Sequence, residues 1–260
     1  MSNKDLKVLY KVASPSFFLI MIISTYFIFN FLDIFIFEMT RSFHGFFFLI
    51  FKKIIDPLSD IFDPLNIIII CLILIILSFN IKFLLKNQKK LKLLKEKTSL
   101  DYKSIINSFD YYLVVCKHFV WSLALAGIAC NIIKYVMGVA RPKYFFLEGF
   151  ERIDFFNIYH KTNSFPSGHT QAAFTLAILF IIYFKKYHGF IIFLACLMGL
   201  SRIFMSMHFP SDIFFGAYLG AFVPIFLYKM YYKSLIMVYD NDKLVNSREF
   251  IKLLYWRIFI

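Results

Sequence analysis

The sequence predicts an all-α polytopic membrane protein with six transmembrane helices, and three observations predict it. Hydrophobic residues make up 60% of the 260, and 36 of them are Phe, far more than a soluble domain keeps inside. The excess lies in six apolar runs, 15–37, 64–85, 111–133, 170–184, 189–207 and 213–232, each near or above the length that crosses a hydrocarbon core of about 30 Å. The cations between the runs are distributed unequally, and that asymmetry orients the bundle.

In chain order, residues 1–14 form an inner tail carrying Lys4, Lys7 and Lys11. The run at 15–37 is too long for a signal-peptide core and has no convincing small-residue cleavage site, so it is expected to be an uncleaved anchor. Residues 43–55, "FHGFFFLIFKKII", are too short to span and mix aromatic with basic residues, which suits the outer interface. After 64–85 comes an inner loop, 86–108, within a stretch holding eight lysines from Lys82 to Lys103; such a run reads as a solvated face. The 111–133 helix leads to an outer loop at 141–166. The short 170–184 run reaches spanning length with Ser167–Thr170 at one end and snorkelling Lys185 and Lys186 at the other. Beyond 189–207 and 213–232, the tail 237–260 contains "SREFIKLLYWRIFI", a capping Ser followed by an amphipathic pattern expected to lie on the inner surface. The domain plan is one membrane domain, 15–236, between two tails, with no internal repeat.

Placing both ends inside puts most Lys and Arg on that side, as the positive-inside rule requires. The net charge of +13 is therefore a topology signal with an added attraction to anionic lipid, and nucleic acid is not expected as a partner. Cys71, Cys116, Cys130 and Cys196 fall inside apolar runs with no CxxC spacing, which supports neither a disulfide framework nor a zinc site.

Polar residues then recur where the membrane should discourage them. Lys134 and Arg141 lie seven apart in "KYVMGVARP", so a helix stopped by Pro142 would set both on one face about 10 Å apart. Pro166, Ser167, Gly168 and His169 open the fourth helix. Arg202, His208 and Asp212 sit in "SRIFMSMHFPSD", where the fifth helix ends and the sixth begins. The topology brings all three clusters to the outer side. Charge at that depth is a functional signal, because desolvation costs several kcal/mol unless partners offset it. Three cations, two histidines and a carboxylate suit phosphoryl transfer, in which fixed positive charge and backbone N–H groups stabilise the migrating group. Ser167 and Gly168 begin a helix, whose unpaired N–H groups and dipole favour an anion, and Gly allows a close backbone approach.

The series Lys134-x6-Arg141-Pro142, Pro166-Ser167-Gly168-His169 and Ser201-Arg202-x5-His208-x3-Asp212 resembles the three-part signature of the type 2 phosphatidic acid phosphatase superfamily, with every fixed position present. The resemblance implies that His208 is the nucleophile forming a phosphohistidine, with Asp212 fixing its tautomer. It implies that His169 protonates the leaving oxygen and later activates water, and that Lys134, Arg141, Arg202, Ser167 and the Gly168 amide hold the nonbridging oxygens. It further implies a six-helix core, no metal and no other cofactor. The substrate would be a phosphorylated membrane lipid whose tails stay in the bilayer.

Within that superfamily, "NSFPSGHT" and the small frame resemble bacterial envelope enzymes, with the active site facing the periplasm from the inner membrane. Lipid A 1-phosphatase is the expected activity. Phosphatidylglycerophosphate and undecaprenyl pyrophosphate phosphatases are alternatives, as is a phosphotransferase using the same phosphohistidine. Residues 143–165, hanging over the site, are expected to select the substrate. Outside the signature, Lys117 and His118 are expected as inner interfacial anchors, and His44, His160 and His188 as surface residues. Gly216-x3-Gly220 predicts close helix packing.

Overall fold

A computed structural model describes residues 3–43, 45–61, 63–84, 87–184, 186–239 and 244–259. His44, Lys86, Lys185 and Lys243, expected at surfaces or in inner segments, lie outside the described residues. Among the described residues the chain is helical throughout, and the only β pairing is an isolated bridge between Val139 and Ile153. Three helices are long and apolar enough to cross a membrane: α1 (Pro15–Ser42), α3 (Tyr102–Met137) and α6 (Pro210–Met237). Three shorter apolar helices account for the other predicted runs: α2 (Pro64–Leu84, apolar over Pro64–Phe79), α4 (Gly168–Tyr183) and α5 (His188–Phe204).

Local chemistry sets the helix ends. Ser14 caps α1, its hydroxyl accepting from Phe17 N at 3.3 Å, with Pro15 at the first helical position where its missing N–H costs nothing. Within α1, residues Ile28–Leu32 form a π-turn. The extra residue turns the following segment by about 100° relative to an unbroken helix.

Two boundaries differ from the sequence expectation. The 86–108 segment is not a loop: Gln88–Thr98 is a helix, capped by Asn87, whose side-chain oxygen accepts from Lys89 N and Lys90 N. It ends at Ser99 in the left-handed region, φ 59. Lys and Leu are good helix formers, and the lysines leave Leu94 free to bury. The third helix also stops before Pro142. Gly138, at φ +55, supplies the left-handed residue that terminates it, and Pro142 instead opens a short helix, Pro142–Glu148.

The chain forms two compact units. In the unit made of Met1–Asn66 and Ser122–Phe226, α4 packs on α5 through Ala173, Ala177, Ala195 and Met198. The expected glycine pair brings α6 against the start of α4. A Cβ on Gly216 would lie 2.7 Å from Ser167 O, and one on Gly220 would lie 2.2 Å from Gln171 O, so only glycine fits at either place. A second cluster, Phe37, Ile203 and Phe209, lies beside the turn between α5 and α6. Residues Gly45–Ile50 and Phe51–Ile55 are helical, with Phe46, Phe47 and Ile54 exposed and Phe51 stacked on Phe204 at 4.3 Å.

The unit made of Ile67–Trp121 and Leu227–Ile260 has its own core of Leu94, Ile105, Phe109, Val245, Phe250 and Leu253. The expected tail helix is present at Ser247–Phe259, burying Phe250 and Leu253 while Ile251, Tyr255 and Ile258 stay exposed. His118 is not an interfacial anchor. It is fully buried, stacked on Tyr232 at 4.4 Å and near Tyr228 at 5.9 Å, because an imidazole's flat face packs as an aromatic. Lys117 lies over the ring of Phe79. His188 is half-buried; His160 is exposed, yet it lies close enough to Arg141 and Lys134 for their charges to lower its pKa.

Candidate active site

The turn after α3 is what positions the first two cations. After the left-handed Gly138, residues 139–141 run between two other segments of the same loop. On one side Ala140 N donates to Arg152 O (3.1 Å) and Asp154 N to Gly138 O (2.9 Å). On the other, Arg141 N donates to Lys161 O (3.0 Å) and Ser164 N to Val139 O (2.9 Å). Lys134 therefore sits on the last turn of α3, whereas Arg141 is the extended residue preceding Pro142–Glu148. They do not share a helical face, contrary to what their spacing predicts, because the helix has already ended at Gly138. The fold of the loop nevertheless brings their charges within interacting range.

The start of α4 forms the floor. Ser167 is its N-cap: its hydroxyl accepts from Thr170 N (3.4 Å) and from the Thr170 hydroxyl (2.9 Å), and its own N–H donates to Asp212 O (2.9 Å). Lys134 lies alongside, with Cε 3.9 Å from where a Gly168 side chain would begin, and Nζ donating to Asn163 O at 2.9 Å. His169 is exposed on the first turn of α4.

The turn between α5 and α6 carries the remaining groups. The carbonyl of Arg202 accepts from Met207 N and His208 N, folding the chain back so that His208 is 3% exposed. Its Nδ1 lies 3.6 Å from Asp212 Oδ2 and 3.4 Å from the Ser164 hydroxyl. That same carboxylate oxygen accepts from Ser164 Oγ (2.5 Å) and from Phe209 N (2.7 Å), which fixes its direction. With Nδ1 turned toward Asp212 and Ser164, Nε2 is the ring nitrogen left to face a substrate.

Burial holds the His208 imidazole at a pKa of about 4, well below its ordinary 6.5. The nearby Lys134 and Arg141 charges push the same way, and Asp212 opposes them only in part. The ring is therefore neutral at physiological pH, with a lone pair available. Because the folded value lies below the unfolded one, this residue contributes stability that is present above pH 6.5 and is lost as pH falls toward 4. Thermal melting of the detergent-solubilised protein between pH 7 and 4 should show this loss. His208→Asn should flatten the dependence over that window, while an unchanged slope would contradict the buried neutral ring.

Arg141 is buried, and burial lowers its pKa from the ordinary guanidinium value. One terminal nitrogen contacts Met207 Sδ at 3.9 Å, and its Nε has no hydrogen-bond partner among the described residues.

The structure thus brings Lys134, Arg141, Ser167, Gly168, His208 and Asp212 into one cluster, with His169 at its helix start. Arg202 is placed differently: its buried guanidinium pairs with Asp56 and donates from Nε to Ser201 Oγ at 3.1 Å.

Several residues escaped the sequence reading. Ser164 bridges His208 and Asp212, and a serine three before the N-cap carries no distinguishing signal. Asp33, wholly buried, pairs with Arg152 and accepts from Ser211. A lone acid inside the apolar run "FLDIFIF" was a readable sign of it.

Residues 116–236 match the model of the PAP2 superfamily. Among curated proteins, the chain is similar to "Lipid A 1-phosphatase" of Rhizobium johnstonii, 29% identical over 133 residues that cover 51% of each chain. It is also similar to "Bacitracin transport permease protein BcrC" of Bacillus licheniformis, 29% identical over 104 residues, 40% of this chain and 51% of the relative. "Lipid phosphate phosphatase 1" of Arabidopsis thaliana is 26% identical over 142 residues, 44% of this chain and 43% of the relative. The chain spans about half the length of the curated relatives it matches. No solved structure matches it.

Proposed function

We propose, from the match of residues 116–236 to the model of the PAP2 superfamily, that the chain is an integral-membrane phosphatase acting on a phosphorylated lipid through a phosphohistidine at His208. The observation that carries the reading is the buried His208 ring. Its Nδ1 is held against Asp212 and Ser164, and Lys134 and Arg141 lie close enough to act on its charge.

In this mechanism the Nε2 lone pair attacks phosphorus while Asp212 orients the Nδ1 proton and balances the charge gained by the ring. The bond from phosphorus to the leaving oxygen breaks, and that oxygen takes a proton from His169. His169 then removes a proton from water, whose oxygen attacks the phosphohistidine. The P–N bond breaks, phosphate leaves and the neutral ring is restored. Lys134, Arg141, Arg202, Ser167 and the Gly168 amide hold the nonbridging oxygens, and the unpartnered Nε of Arg141 is a donor suited to one of them. All of these roles rest on chain groups, without a metal.

The proposed topology has six crossings, with α2, α4 and α5 joining the three longer helices. Both termini are inside, and the site faces the periplasm of a bacterial inner membrane. Lipid A bearing a 1-phosphate is the proposed substrate, supported by the similarity to the lipid A 1-phosphatase of Rhizobium johnstonii. Phosphatidylglycerophosphate and undecaprenyl pyrophosphate are the competing lipids. The test is phosphate release by the purified protein from each of the three in EDTA. Fastest turnover of lipid A is the expected result. A clear preference for another lipid overturns the substrate, loss of activity in EDTA overturns metal independence, and phosphate passed to a lipid acceptor without free release marks a transferase.

A further inference from the structure

A second ion pair lies directly behind His208 and Asp212, outside the signature. Asp33 enters it from α1, immediately after the π-turn at Ile28–Leu32, whose last hydrogen bond runs from Asp33 N to Ile28 O. A π-turn inside a membrane helix re-aims the residues on its C-terminal side, and the first of these is a wholly buried carboxylate. That carboxylate lies at the start of α6: Oδ1 accepts from Ser211 N (2.8 Å) and Oδ2 from Ser211 Oγ (2.6 Å). It therefore caps α6 from another helix, where the dipole favours negative charge.

Asp212 belongs to the same first turn, so two carboxylates converge on one buried helix start, close enough to repel. Arg152 is the cation that joins them. It pairs with Asp33, attracts Asp212, and sets its guanidinium carbon over Phe209, 3.5 Å from the ring centroid. Phe209 is itself fully buried between His208 and the α6 start, and its N–H donates to Asp212 Oδ2. The pair thus converges on residues 209–212, the turn that sets the distance from Asp212 to the His208 ring.

We propose that Asp33 and Arg152 are positioning residues that hold the 209–212 turn and keep Asp212 aimed at His208. The inference rests on the phosphatase reading of the site. Removing Arg152 alone leaves two carboxylates in one low-dielectric pocket, and the easiest relief is for one to take up a proton or swing away. Removing both charges relieves that conflict, so the double substitution is expected to be milder than the single one.

The test uses the full-length protein in detergent, with dioctanoyl phosphatidic acid, lipid A, phosphatidylglycerophosphate and undecaprenyl pyrophosphate. Parent turnover on any of them checks the phosphatase reading separately. Arg152→Gln is expected to lower kcat by about 10- to 100-fold, the scale of a small misplacement of a catalytic group, with KM within about twofold. Asp33→Asn combined with Arg152→Gln should recover much of that loss. A readout independent of turnover is the ¹⁵N spectrum of the His208 ring, assigned by its disappearance in His208→Ala. It should shift in Arg152→Gln, return toward the parent in the double variant, and stay put in a Lys143→Gln control. If Arg152→Gln fails to accumulate, Arg152→Lys and Asp33→Glu carry the same two measurements. An unchanged His208 spectrum together with an unchanged kcat, or a change confined to KM, overturns the proposal.

Discussion

On the proposed mechanism, His208→Ala abolishes phosphate release, by about three orders of magnitude or more, the scale on which loss of a nucleophile acts. The ring cannot be replaced from nearby. The polar side chains around it, Ser164 and Asp212, lie on its Nδ1 side, and His169, the other imidazole of the cluster, is exposed on the first turn of α4. Alkaline quenching of the parent during turnover should trap an acid-labile phosphoenzyme that the variant lacks. His188→Ala, altering a side chain bonded to the Phe184 carbonyl far along the sequence, serves as the control and should turn over at the parent rate. Parent-like hydrolysis by His208→Ala would remove the covalent mechanism while leaving the fold intact.

Gly138→Ala is expected to be nearly as damaging, through structure instead of chemistry. The backbone there sits at φ +55, and an added Cβ would lie 1.6 Å from the Asp154 carbonyl oxygen. The obstacle is backbone, so no side-chain rotation relieves it. The loop must shift, breaking the bonds from Asp154 N to Gly138 O and from Ala140 N to Arg152 O. A cost of about 3 kcal/mol or more is expected, in the range reserved for strain at a special backbone position combined with a clash. The variant should melt well below the parent and release little phosphate even where it accumulates, because Arg141 and Arg152 both hang from this segment. A parent-like melting temperature would show that the loop accommodates the methyl group.

Much of this was legible in the sequence, for reasons particular residues make clear. The six apolar runs appear as helices because hydrophobic content at that density leaves few alternatives, and Ser167 and Gly168, which read as a helix start, lie at one, with Ser167 as its N-cap. The glycine pair at 216 and 220 likewise announced the close approach of two helices. What the sequence hid was competition between signals. Gly138 and Pro142 both end helices, and the glycine came first, so Lys134 and Arg141 met through a loop and not along one face. The lysine run at 89–97 does present solvated charge, with Lys89, Lys92, Lys95 and Lys97 exposed, but its interleaved leucines make it an amphipathic helix where a loop was expected. His118 followed packing instead of polarity. Asp33 and Arg152 are 119 positions apart, and no local pattern pairs residues at that separation.

Arg202 ends with a consequence of its own. A guanidinium enclosed by protein is costly to leave bare, and the carboxylate of Asp56, itself about one-third exposed, keeps it neutralised at rest. On the proposed role, an arriving phosphate reaches this cation by trading places with a tethered anion that can retreat into water. Recruitment of Arg202 then becomes a displacement reaction whose equilibrium depends on how much more charge the lipid headgroup carries than a single carboxylate, which favours dianionic monoesters over diesters before any bond is made.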